Sequence, residues 1–392
     1  MRKRYSRSQD GKIVETASVY TAGEHGIDPG DLDHDAVKVV RRLRRHGFDT
    51  YIVGGAVRDL LLGKKPKDFD VSTAATPNQI RKLFRNSRII GKRFRLAHIL
   101  FRDKIIEVST FRSQDAEGFK NIYGTIEEDV LRRDFTANAL FLNPEDNTVV
   151  DYVGGVRDLQ RRVLRPVIPL NRIFREDPVR MIRAVKYAVT GGLRIPWRLR
   201  RQIRKDRARL EETPSSRMTE ELFKILNSGH AAGIVGMLMD LQLYRAVLPA
   251  QADLAGRSSA YCGKLMERLG LLDVKRREHG PLDRADLLVF ATADYLLEYS
   301  PFADQRRIPF RDAYYGLKDF LNPVTPANRE VEAAINEIFR NKGRLLRDEA
   351  PEHLDSRSGG RSGGRRRRRR RRTPSSGDAA KEQTGRIADS PG

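Results

Sequence analysis

A single cysteine, Cys262, stands among 392 residues. That excludes an intramolecular disulfide framework and any zinc site built from several thiolates, and makes a reducing, cytoplasmic compartment the expectation. No apolar run approaches the roughly 20 residues that a membrane-spanning helix requires. The basic start Met1-Arg2-Lys3-Arg4 is not followed by the apolar stretch of a secretory signal. A soluble intracellular protein without a membrane partner is therefore expected. Hydrophobic residues are also scarce, at 39% against 32% charged, so part of the chain should be solvated or disordered. Acid is outweighed by base: 52 Asp and Glu against 75 Lys and Arg give a net charge of +23. An excess of that size suits a polyanionic partner such as nucleic acid. Residues 351–392 carry 12 basic and 5 acidic residues, so most of the excess lies upstream of them.

The chain changes character along its length. Residues 1–33 form a basic, polar extension with one strand expected at Ile13–Tyr20. A helix begins near His34, runs through Ala36, Val39, Val40 and Leu43, and stops at Gly47. An α/β stretch follows. Strands are expected at 50–53, 69–72, 89–90, 98–101 and 105–110, with helices at 56–62 and 77–84. From Asp177 to about Leu346 only helical periodicity remains, as in Val179, Ile182, Val185 and Tyr187, or Met218, Leu222, Ile225 and Leu226. The tail ends this pattern with eight consecutive arginines: Arg365, Arg366, Arg367, Arg368, Arg369, Arg370, Arg371 and Arg372. Like charges packed so densely repel, which predicts a disordered segment suited either to tethering RNA or to mere solubility.

The chemistry is concentrated early. In Val53-Gly54-Gly55-Ala56-Val57-Arg58-Asp59 two glycines join a strand to a helix. There backbone N–H groups can approach a phosphate and Arg58 lies one turn on. By itself such a turn is also compatible with a plain tight turn. Asp68-Phe69-Asp70 follows. If it lies on a strand, both carboxylates face the same way and repel unless a cation sits between them. Oxygen donors of this kind favour Mg²⁺. Glu107, within Ile105-Ile106-Glu107-Val108, alternates with apolar neighbours and could join the pair across the sheet or simply face water. Together, Asp68, Asp70 and Glu107 fit a site with two Mg²⁺ ions. One ion would activate a 3′-hydroxyl, and the other would steady a leaving pyrophosphate. His98 reads as structural.

From about Tyr51 to Leu226 the motifs resemble, in order, those of the bacterial poly(A) polymerases and class II CCA tRNA nucleotidyltransferases, within the polymerase-β-like nucleotidyltransferase superfamily. The resemblance makes Gly54, Gly55 and Arg58 the triphosphate-binding turn, Asp68 and Asp70 the metal pair, and Glu107 the third acid. Arg132-Arg133-Asp134-Phe135-Thr136-Ala137-Asn138 resembles the ribose-holding motif, with Arg133 and Asp134 on the sugar. Asp151-Tyr152-Val153-Gly154-Gly155 and Asp158 are similar to the hinge. Arg175-Glu176-Asp177-Pro178-Val179-Arg180 resembles the base-reading motif, and Ser216-Arg217-Met218-Thr219-Glu220-Glu221 the segment that buttresses it.

The resemblance implies an α/β catalytic head with a mixed sheet, then all-α neck and body domains and a disordered basic tail. The boundaries expected are 34–165 for the head, 166–230 for the base-reading neck, 231–346 for the RNA-binding body and 347–392 for the tail. Asp177 and Arg180, three residues apart on a helix, would offer one acceptor and a fork of donors to the edge of adenine or cytosine. That pair alone does not separate AMP addition from CCA addition. Residues 83–88 and 91–98 are similar to the poly(A) polymerases, as is the basic tail, although Ser87 stands where a cysteine is frequent. The expectation is a polynucleotide adenylyltransferase that adds AMP from ATP to RNA 3′ ends, of mRNA or tRNA, releasing pyrophosphate. The alternatives are a CCA-adding enzyme and an inactive RNA-binding protein. No protein partner is indicated.

Overall fold

The computed structural model describes residues 2–7, 13–91, 95–113, 123–340, 342 and 345–346. Arginines 365–372, with the rest of the tail, lie outside the described residues, as do Lys92, Arg93 and Phe94. No described helix is long and apolar enough to cross a membrane.

A nine-stranded sheet forms the first half. Its strands are β1 (Arg2–Arg7), β2 (Ile13–Tyr20), β3 (Thr50–Val53), β4 (Asp70–Thr73), β5 (Ser87–Ile90), β6 (Leu96–Leu100), β7 (Ile105–Thr110), β8 (Leu140–Asn143) and β9 (Thr148–Asp151). They lie in the order β1-β2-β9-β8-β3-β4-β7-β6-β5. Only β4 and β7 pair in parallel; every other neighbouring pair is antiparallel. The mixed sheet of the sequence reading is thus present, with more strands than its pattern suggested. β1 joins β2, and the hairpin β8–β9 closes through Asn147, whose φ of 48° is a conformation asparagine tolerates in tight turns.

Helices α1 (Ala22–His25), α2 (His34–Arg45), α3 (Gly55–Leu61), α4 (Pro77–Leu83), α5 (Ile126–Arg132) and α6 (Gly155–Gln160) accompany the sheet. Asp33 caps α2 by accepting from the N–H groups of Asp35 and Ala36, and Ala36, Val39, Val40 and Leu43 are buried as expected. That helix packs on β3 and β4. The opposite face of the sheet holds Tyr51, Val53, Phe111, Phe141 and Val150 in one cluster with Ile126 and Val130 of α5. Strand alternation places Asp70 and Ser72 on this second face, because Val53 pairs with Asp70 and Tyr51 with Ser72.

After the sheet the chain is almost wholly helical: α7 (Ile173–Glu176), α8 (Arg180–Gly191), α9 (Trp197–Asp206), α10 (Ser215–Leu226), α11 (Ala231–Asp240), α12 (Tyr244–Val247), α13 (Pro249–Arg257), α14 (Ser259–His279), α15 (Arg284–Asp294), α16 (Phe310–Leu321) and α17 (Asn328–Phe339). The switch from sheet to helix falls at Asp151. Its carboxylate accepts from the N–H groups of Val153, Gly154, Gly155 and Val156, and so starts α6.

Candidate active site

Two strands build the acidic centre. β4 runs parallel to β7 with Val71 opposite Val108 and Ser72 opposite Ser109. The preceding residues, Asp70 and Glu107, are therefore neighbours on one face, two positions from a Ser72–Ser109 hydroxyl contact of 2.7 Å. Asp68 stands outside the strand on which the pair would share one face, because β4 begins only at Asp70. It still lies near enough for its charge to act on Asp70.

Asp70 is pushed up to about 6, first by the protein crowded around it and then by the charges of Glu107 and Asp68; Arg133 opposes the shift. Its side chain is nonetheless open to solvent. Glu107 is half exposed, with His98 Nε2 at 3.4 Å from its carboxylate. Among the described residues no three His, Cys, Asp or Glu side chains are drawn together tightly enough to hold an ion by themselves. The acidic centre nevertheless suits a hard cation, since like charges raise the cost of ionising Asp70 and its donors are carboxylate oxygens.

The glycine turn abuts this centre because Val53, paired with Asp70, leads directly into it. Gly54 has φ 72° and ψ −130°, which essentially only glycine adopts. A Cβ there would lie 3.9 Å from Arg133 Nη1. Arg133 itself is locked over the face. It pairs with Asp129 at 2.9 Å, donates to the Asn138 carbonyl at 3.0 Å, and lies 4.7 Å from the Phe141 ring centre. Arg58 does not reach the open face. It is buried, donating to Asn138 Oδ1 at 2.7 Å and pairing with Asp59 at 2.8 Å, 4.9 Å from the Tyr187 ring centre.

Asp134 is also buried. Its carboxylate accepts from the Phe135 N–H and Asn138 Nδ2, and Arg183 of α8 lies 2.9 Å from its other oxygen. Tyr187, one turn on, accepts from Arg183 through Nε at 3.1 Å and Nη2 at 2.9 Å. Sequence reasoning found Arg133, Asp134 and Arg58 but missed that Asn138, Arg183 and Tyr187 bind them into one network. Tyr187 carried only an apolar periodicity signal.

Asp177 and Arg180 are held apart from each other. Asp177 is extended, with φ −154°, just before α8, and Arg180 is the first residue of that helix. Rather than lying on one helix as expected, the two residues have separate partners: Arg217 of α10 at 2.5 Å from Asp177, and Glu176 at 3.0 Å from Arg180. The Pro178 that follows keeps Asp177 out of helical geometry. Glu221 ties α8 to α10 through Lys186 at 3.0 Å, with Lys224 at 3.1 Å. Burial resists its ionisation, yet the two lysines hold it below the usual carboxylate range.

Residues 50–165 match the family model described as the poly A polymerase head domain. Residues 192–255 match the one described as "Probable RNA and SrmB- binding site of polymerase A". Poly(A) polymerase I of Salmonella typhi is 45% identical over 243 residues, which cover 58% of this chain and 52% of that protein. The CCA-adding enzyme of Geobacillus stearothermophilus is 34% identical over 224 residues, 56% of this chain and 55% of the enzyme. The chain thus spans a little over half the length of the curated relatives it matches. Among solved structures, the Bacillus stearothermophilus CCA-adding enzyme in complex with CTP superposes with a TM-score of 0.53 at 25% identity. That match covers 78% of this chain and 81% of the other.

Proposed function

Because the chain belongs to the nucleotidyltransferase family that contains the poly(A) polymerases and the CCA-adding enzymes, we propose that it is a poly(A) polymerase of the cytoplasm. It would transfer AMP from ATP to an RNA 3′ end, the 3′-oxygen attacking the α-phosphorus while pyrophosphate leaves. The observation that carries this reading is the open acidic face, where Asp70 and Glu107 stand side by side on parallel strands with Asp68 nearby. The greater identity to poly(A) polymerase I than to the CCA-adding enzymes favours AMP addition.

Asp68, Asp70 and Glu107 would hold two Mg²⁺ ions, which when bound lower the cost of ionising the 3′-hydroxyl and of the charge leaving with pyrophosphate. The remaining work falls to this chain's own residues. The backbone at Gly54 and Gly55 lets the triphosphate approach closely, with Arg133 beside it on the open face. Arg58 braces the turn from behind through Asn138. Arg133 would hold the sugar, with the buried Asp134, expected to share that role, positioning it from behind through Asn138. Asp177 and Arg180, each steadied by its own partner, read the amino donor and ring acceptor of adenine. A base with the opposite pattern would leave them unpaired. The neck and body would divide at the boundaries given above, while the head, expected at 34–165, would also take in β1 and β2, which belong to its sheet; arginines 365–372 would tether RNA.

The test supplies purified full chain with Mg²⁺ and each nucleoside triphosphate in turn, on an unstructured oligoribonucleotide and on a tRNA lacking its 3′ CCA. A long ladder with ATP alone supports the proposal. CTP-dependent addition to the tRNA that stops after CCA assigns the chain to tRNA maturation. No incorporation on either RNA leaves an RNA-binding protein.

A further inference from the structure

Helix α9 carries an exposed face that none of the assigned motifs uses. Leu199, Ile203 and Asp206 are buried on its inner side. The opposite side presents Trp197, Arg201, Arg204 and Lys205, spaced i, i+4, i+7 and i+8, which is one stripe on an α-helix. Trp197 is the chain's sole tryptophan, and it is 64% exposed. The Arg198 guanidinium lies 5.6 Å from its ring centre. Among the described residues none of Arg198, Arg201, Arg204, Lys205 and Arg207 makes an ion pair. The helix's single acid, Asp206, is turned inward, where it accepts from Gln202 Nε2. Elsewhere in the helical part about half of the described arginines and lysines are matched to carboxylates, as Arg217, Arg268 and Arg284 are.

An exposed indole among unneutralised cations offers a partner a flat face to stack on and positive charge beside it. A protein partner's apolar patch would leave the positive charges unanswered. An anionic polymer with flat rings answers both, since every base offers a face to stack on and every linkage a phosphate. The stripe is well placed for the strand behind a reacting 3′ end. α9 packs against α7, which leads into Asp177 and Arg180. At its far end Arg207 lines a hollow together with Arg245 and Arg257.

We infer that α9 is a single-stranded RNA platform, on which Trp197 stacks against a base upstream of the 3′ end while Arg198, Arg201, Arg204 and Lys205 hold the backbone. This deepens the proposed function and rests on it for the identity of the strand. Its test, however, needs neither metal nor triphosphate. The family match over residues 192–255 names a region, whereas the stripe names side chains and a mode of contact.

The lone tryptophan makes the test direct. A short oligoadenylate is titrated into the full chain without Mg²⁺ or ATP, following tryptophan fluorescence and, in parallel, anisotropy of end-labelled RNA. Quenching that tracks the anisotropy is expected, with the midpoint moving to higher RNA concentration as salt rises. W197A should weaken binding about tenfold and W197F should recover most of it, because a phenyl ring still stacks. The double variant R201E/R204E should lose affinity while keeping its circular dichroism spectrum, since both side chains are exposed. RNA that binds by anisotropy with unchanged fluorescence, or W197A binding as tightly as the parent, would overturn the inference. So would quenching by an acidic peptide but not by RNA. A chain that binds RNA in this way yet polymerises nothing would keep the platform and lose the proposed activity.

Discussion

At the scale of single residues, Asp70 makes the sharpest forecast. Its carboxyl holds a proton up to about pH 6 in the folded chain, against an ordinary value of 3.8. Between those values the fold retains a proton that the unfolded chain has released, so metal-free stability falls as pH rises through that window. Mg²⁺ should therefore raise the melting temperature at pH 7.5 and have little effect at pH 5. Asp70→Asn should melt higher than the parent at pH 7.5 without metal, lose the Mg²⁺ response, and lose activity by about 10³-fold or more. Because the side chain faces solvent, the temperature shifts should amount to only a few degrees. An Asp70→Asn protein that still responds to Mg²⁺ would show that the ion sits elsewhere. Gly54 offers a second case: Ala at φ 72° and ψ −130° should cost about 1–3 kcal/mol of stability, read from a urea midpoint. Loosening Asp177 by Arg217→Ala should lower the preference for ATP over UTP about tenfold, with less effect on turnover of ATP itself.

Elements show why some of this was legible beforehand and some was not. α2 could be read in full, because Asp33, the buried Val39, Val40 and Leu43, and Gly47 mark start, face and stop within 15 residues. The acidic and glycine motifs were legible for a similar reason: their chemistry needs neighbours along the chain. What escaped notice depends on contacts across long separations. β1 finds its partner in β2 only through the sheet edge, and the first strand of the β8–β9 hairpin lies in Ala139-Leu140-Phe141-Leu142-Asn143, whose letters also suit a helix. Asp177 was placed on a helix, but Pro178 and the Arg217 contact hold it extended. The strap from α8 to the sheet, Arg183 to Asp134, left no mark in either local sequence. Its removal is correspondingly severe. Arg183→Ala leaves a buried carboxylate unpaired and should cost about 3 kcal/mol in a denaturant titration, whereas Arg183→Ala combined with Asp134→Asn should recover part of it.

For the whole molecule the governing quantity is charge. The net charge of +23 was visible in composition, but its distribution was not. In the structure many cations are matched to carboxylates, and the α9 stripe stands out because its unpaired cations flank an exposed tryptophan. Two basic features, that stripe and arginines 365–372, would then share the RNA. Deleting residues 356–392 should flatten the dependence of log affinity on log salt, by about 0.7 for each lost phosphate contact on a single strand. The tryptophan signal at α9 should survive the deletion. An unchanged slope would assign the tail to solubility alone.

The parallel pairing of β4 with β7 carries a consequence for how the molecule assembles. Those strands are joined by α4, β5 and β6, so Asp70 meets Glu107 only after that whole crossover has closed. Such non-local pairing is slow to form, because the loop entropy is lost before the contacts return it. A nascent or truncated chain that stops short of β7 would hold the glycine turn and Asp70 on β3 and β4 but not Glu107 beside them. A chain cut before β7 would thus lack one wall of the proposed ion site, however well β3 and β4 are formed, and should show no Mg²⁺-dependent gain in melting temperature.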